Sequence, residues 1–114
     1  MRIPLTIETH DRRLAFDIAA VGNTLKAGSI VEVPGGTKVQ FQSMYGRKAF
    51  GVPETLEFIV DASKTIDIGL FAAWLYDKVK DRPVEKLTIR RREITEITED
   101  NIRRVLEEEI EIDG

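Results

Sequence analysis

The only histidine, His10, stands beside Asp11 and is the one side chain able to serve as an imidazole base for a hydroxyl nucleophile. The serines are Ser29, Ser43 and Ser63, and none lies in the G-x-S-x-G turn that presents a nucleophile. A polar residue at a strand-to-helix turn accounts for His10 more economically. Gly46-Arg-Lys-Ala-Phe-Gly51 has the G-x₄-G spacing of a phosphate-binding loop. Val52-Pro53 follows where Lys-Ser/Thr must stand, so the phosphate lysine and the Mg²⁺-holding hydroxyl are missing. The segment still sets Tyr45, Arg47, Lys48 and Phe50 together, cations beside aromatics, a composition that holds an anionic ligand or a partner surface. These four residues are the first candidate contact site, against the plain alternative of a solvated loop.

The acids point less sharply. Glu107 to Asp113 is acid-dense, but oxygen-ligated cations need ligands converging around a turn, and no D-x-D-x-D-G loop is present. A solvated helix tail explains the run. Asp61, Lys64 and Asp67 step at three-residue spacing, as a wet helix face with an internal ion pair would. Arg90, Arg91 and Arg92 form a basic run, with Arg12-Arg13 and Arg103-Arg104 elsewhere, and are the second candidate site for an anion, a partner or RNA. Glu93, Glu96 and Glu99 lie close by, so mutual salt bridging is the cheaper explanation. No RNP aromatics or GXXG loop supports nucleic acid. No metal or cofactor is implied.

The elements that must position these residues follow from periodicity. Ile3, Leu5 and Ile7 alternate with polar residues as in a half-buried strand. Pro4 cannot donate, which predicts an edge strand or an outward-facing position. Asp11 is a helix cap, and Leu14, Ile18, Val21 and Leu25 fall on one helical stripe, with Gly28 as its stop. Ser29–Val33 and Thr37–Gln42 are strand-like around Pro34-Gly35, which suits a type II turn. Residues 43–53 read as an exposed loop. Pro53-Glu54 then favours one long helix over 54–80; a strand at 55–60 followed by a helix from about Ser63 is the alternative. Asp81-Arg82-Pro83 ends it. Lys86–Arg90 and Glu93–Ile97 are strand-like about an Arg91-Arg92 corner, and Thr98 caps a last helix with Ile102, Val105, Leu106 and Ile110 on its apolar face.

Every strand so read has one polar face. The expected fold is a single α+β domain over residues 1–114, in two layers. A small, mostly antiparallel sheet of four to five strands carries about three helices on one face. With 114 residues, 42% hydrophobic and 32% charged, the chain suits one globular domain with one modest core. It has no cysteine, which excludes disulfides, thiolate nucleophiles and zinc ribbons and suits the cytoplasm. The start has no signal-peptide pattern, and the longest uncharged apolar run, Ile68–Tyr76, falls well short of the roughly 20 residues that span a bilayer. Residues 1–53 carry seven Lys/Arg against four Asp/Glu, residues 54–114 ten against sixteen. The net charge of −3 argues against nucleic acid as the default partner.

Leu70, Phe71, Trp74, Leu75 and Tyr76 cover more than one helical stripe. Leu70, Phe71, Trp74 and Leu75 are therefore a candidate interface, with a homo-oligomer as the way to bury the excess. The stretch GLFAAWLYDKVKDRPVEKLTIRRREITEITEDNIRRVLEEEI, an amphipathic helix ending in Trp74-Leu75, then short strands and a last helix, resembles the small effector-associated constant domains of bacterial conflict and signalling systems. The PGG hairpin departs from that pattern. The resemblance implies a non-catalytic adaptor, bacterial or phage in style, and assigns Trp74 a structural role alone. Together these readings favour a protein–protein interaction module that binds a protein or itself and catalyses nothing. A small-ligand or nucleotide-binding enzyme using residues 44–51 and a nucleic-acid contact protein using Arg90–Arg92 are the alternatives.

Overall fold

The computed structural model describes residues 1–46, 51–62 and 65–113. In chain order the elements are β1 (Arg2–Thr9), α1 (Arg13–Ala19), β2 (Ile30–Val33), β3 (Thr37–Tyr45), β4 (Glu54–Ala62), α2 (Ile68–Val79), β5 (Val84–Ile89), β6 (Arg92–Glu93) and α3 (Glu99–Asp113). The strands form one antiparallel sheet in the order β2-β3-β4-β1-β5-β6. The expected α+β class and single layer of helices hold, with six strands instead of four or five.

Alternation decides which face is covered. Ile3, Leu5 and Ile7 of β1 register with Val60, Phe58 and Leu56 of β4, while Leu5 and Ile7 also meet Ile89 and Leu87 of β5. All are buried, and they share one core with Leu14 and Ile18 of α1, Phe71 and Leu75 of α2, and Ile102 and Leu106 of α3. Phe41 and Phe58 meet edge to face at 5.7 Å within it. The residues between them point to the other side, which no helix of the core covers.

Several expectations are corrected. Residues 54–80 are not one helix: β4 is a strand, and α2 begins only at Ile68. The alternative reading of a strand then a helix is the observed one. Leu56 and Ile59/Val60 step as a helix would, while Leu56, Phe58 and Val60 alternate as a strand does, and pairing with β1 on one side and β3 on the other selects the strand. Asp67 starts α2, its side chain accepting the Leu70 N–H at 3.0 Å. The first helix stops at Ala19; Ala20 is extended and Gly22 has φ 62°, so Val21 is exposed rather than on the apolar stripe. The N-cap residue is Arg12, without a side-chain cap bond, rather than Asp11, which sits one residue earlier and accepts the Arg13 N–H at 2.9 Å. Residues 43–45 extend β3 instead of opening a loop.

The final hairpin turns one residue early. Ile89 registers with Arg92, so Arg90-Arg91 is the turn, with Arg90 at φ 58°, and β6 covers only Arg92 and Glu93. The Pro34-Gly35-Gly36 turn joins β2 to β3 with both glycines at positive φ. Thr98 caps α3, accepting the Asn101 N–H at 3.1 Å. Pro4 faces outward as expected but lies in a central strand. Its carbonyl accepts from the Arg90 N–H at 2.8 Å, so its missing donor falls where β5 has already turned away.

Candidate functional site

The uncovered face is a checkerboard of alternate strand residues. Arg2 of β1 sits opposite Asp61 of β4, and Thr6 lies between Glu57 and Thr88. Across β3, Lys38 registers with Asp61 and Gln40 with Ile59. Arg2 Nη2 donates to Gln40 Oε1 at 2.7 Å, reaching over β4 and holding the end of the sheet together. Lys86 stands between Glu8 and Glu93, 3.7 and 3.9 Å from their carboxylates. Those pairs are solvent-exposed and contribute little to stability.

Two depressions meet at Arg2. One, of about 200 Å³, is lined by Arg2, Ile30, Lys38, Gln40, Ile59 and Asp61 across four strands. The other, of about 510 Å³, is lined by Arg2, Pro4, Arg90, Arg91 and Glu109. Its origin is topological. The β5–β6 hairpin turns at Arg90-Arg91, opposite Pro4, so among the described residues no strand pairs with β1 on that side next to Arg2. The resulting notch is closed from the helix layer by Glu109 of α3. Among the described residues the two depressions gather four cationic side chains, Arg2, Lys38, Arg90 and Arg91, with Asp61 and Glu109.

Glu109 is 6% exposed, on the helical stripe that also carries Ile102, Val105 and Leu106. No described residue donates a hydrogen bond to it or forms an ion pair with it. Its side chain lines the notch, so its carboxylate is offered to whatever enters there.

The predicted site residues are divided by the fold. Arg90 and Arg91 enter the notch, whereas Arg92 turns to Glu108 on α3 and forms a salt bridge there. Tyr45 is exposed at the opposite end of the sheet, near the Glu8–Thr55 register, so it is not joined to the arginines. Its pKa is raised, first by a hydrogen bond to Glu57 and then by the charge of that carboxylate. Arg47, Lys48 and Phe50 lie outside the described residues. On α2, Phe71 and Leu75 are core residues with no exposed surface, so half of the expected interface is already spent inside the domain. Leu70 is 55% exposed, and Trp74 is half-buried with its ring 5.7 Å from that of Phe71. His10 sits with Tyr45 at the far end of the sheet, its Nε2 2.7 Å from Glu85 Oε1 and its N–H donating to the Pro83 carbonyl.

Sequence reasoning missed Arg2, Lys38, Gln40, Ile59, Asp61 and Glu109. The signal for Arg2, Lys38 and Gln40 was present, since each is an out-facing member of an alternating strand; Ile59 and Asp61 were hidden because residues 54–62 read first as a helix. Glu109 announced itself by standing seven residues after Ile102 on an otherwise apolar stripe. Among the described residues no group of three metal-ligating side chains converges, and no helix is long and apolar enough to cross a membrane. No family model, curated protein or solved structure matches the chain.

Proposed function

We propose that this protein is a small interaction module of adaptor type, and that it takes its partner protein across the uncovered sheet face and the basic notch beside it. The observation that carries this reading is Arg2, which lines both depressions and so makes one continuous contact strip from β2 to the Arg90-Arg91 turn. Such a strip offers charged and polar anchors around Pro4 and Ile59, the mixture found at interfaces formed and released by folded partners. A cytoplasmic setting, suggested by the cysteine-free composition, and a bacterial or phage conflict system, suggested by the adaptor resemblance, belong to the same proposal.

Photo-crosslinking in cells tests it. A benzophenone side chain at Ile59, in the strip, is expected to capture a partner in a yield that falls with Arg2→Ala. The same group at Glu107, on the exposed side of α3, is expected to capture none. Equal capture from both positions, or none from Ile59, overturns the reading.

A second reading, assembly with another copy, is favoured by the outer edge of β2. The Phe41 N–H donates to the Ser29 carbonyl at 2.9 Å, so ladder alternation aims the backbone groups of Ile30 and Glu32 away from β3. Ile30 is 53% exposed there. An unpaired edge with apolar residues is a template for another strand.

A further inference from the structure

We infer that the notch between β1, the Arg90-Arg91 turn and α3 takes an acidic peptide segment of the partner, its carboxylates on Arg2 and Arg91 and its backbone N–H groups on Glu109. This rests on the interaction reading above and names the chemistry of the partner. The argument starts from the two kinds of group that share the notch. Guanidinium groups offer only donors, in a planar fork that matches a carboxylate or a phosphate. Glu109 offers only acceptors when ionised, and it is nine-tenths buried with no donor from any described residue. An occupant that satisfies both must bring acceptors and donors within a few ångströms of each other. An acidic peptide does so at every residue, through side-chain carboxylates and backbone N–H groups. A phosphodiester backbone brings acceptors and negative charge alone, and its phosphates would be driven against the Glu109 carboxylate. A basic peptide would satisfy Glu109 but face the guanidinium groups of Arg2 and Arg91. The volume of about 510 Å³ is that of a pocket for a few residues or a small ligand. Glu109 therefore acts as the selector, admitting a peptide and disfavouring nucleic acid at a surface whose arginines alone would accept either.

Fluorescence anisotropy on the intact chain tests this with three labelled probes. They are a peptide of alternating Glu and Gly/Gln, a Lys-rich peptide of the same length, and a single-stranded oligonucleotide of matched charge. The acidic peptide is expected to bind, less tightly as salt rises, and the other two to bind more weakly. Arg91→Ala, at an exposed position, and Arg2→Ala are each expected to weaken the peptide by about five- to tenfold, the size of one interface anchor. Glu109→Gln keeps the side-chain volume and is expected to narrow the preference for peptide over oligonucleotide, with the thermal melt confirming that the variant is folded. An oligonucleotide bound as tightly as the peptide, a peptide that does not bind, or a preference unmoved by Glu109→Gln overturns the inference. Partner capture from Ile59 alongside any of these results leaves the interaction reading standing and removes only the ligand class.

Discussion

Arg82 binds together two parts of the chain that the sequence keeps apart from it. Its Nη1 donates to Asp11 Oδ2 at 2.8 Å, before α1, and its Nη2 donates to Asp17 on α1 itself. Partial burial works against the guanidinium charge, but the hydrogen bond and attraction of Asp17, with those of Asp11, outweigh it and raise the pKa. Charge-assisted pairs of this kind, discounted for their partial exposure, contribute modestly. Arg82→Ala is expected to destabilise the fold by about 1–2 kcal/mol, measured by urea unfolding at neutral pH. At Tyr45 the effect has a pH sign. Glu57 raises its pKa above the ordinary 10.0, so the folded state favours the neutral phenol. The stabilisation is complete below the unfolded value and is lost as pH climbs through the higher folded one. An absorbance titration of phenolate formation is expected to show Tyr45 ionising above the ordinary 10.0, and Glu57→Ala to bring it back towards that value. Tyr45 was legible as an exposed aromatic, but its partner was not, because Glu57 reaches it only through the β3–β4 register.

At the scale of elements, the β2–β3 hairpin and α2 are locked together at one glycine. Gly35 has φ 98°, and a Cβ there would lie 2.7 Å from the Asp67 carbonyl and 3.2 Å from Phe71 Cβ. Its own carbonyl accepts the Asp67 N–H at 2.9 Å, so the turn seats directly on the start of α2. Gly35→Ala is expected to cost more than about 1 kcal/mol, since both the backbone conformation and the close approach oppose a side chain. Gly22, also at positive φ (62°) but with open space around it, is the control: Gly22→Ala is strained without the clash, and its loss in a thermal melt is expected to be the smaller of the two. The hairpin was legible from Pro34-Gly35 and its flanking alternation, because turn chemistry is local. Residues 54–62 were not: the same apolar residues satisfy two periods, and only neighbours remote in sequence decide between them. The early stop of α1 was missed for a related reason, since Val21 and Leu25 continue a helical stripe on paper.

For the molecule as a whole, the central place of β1 matters most. Its neighbours are β4 and β5, both distant in sequence, so the middle of the sheet closes only when the late part of the chain returns. The core correspondingly needs Leu87, Ile89, Ile102 and Leu106. A fragment of residues 1–80 is expected to lack a cooperative thermal transition by circular dichroism, and the full chain to show one, at a folding rate in the slow range of non-local β topologies. Self-association through β2 has its own test at this scale. Glu32→Pro removes an outward N–H while leaving the ladder to β3 intact. It is expected to shift a dimer to monomer in light scattering without lowering the melting temperature of the monomer. A wild-type chain that is monomeric at high concentration removes the edge-pairing reading.

Local chemistry reached as far as its own range. The α+β class, the single helical layer, the hairpin, the outward turn of Pro4 and the Thr98 cap all follow from alternation, turn residues and capping groups a few positions apart. What the three-dimensional fold alone decided is which outward residues become neighbours. Arg2 meets Gln40 and shares a notch with Arg90, Arg91 and Glu109 because β1 lies between β4 and β5 and because the last hairpin turns before reaching its end. Strand order and register are set by burying one face of the four inner strands at once, a cooperative condition on the whole chain that no short window of residues contains.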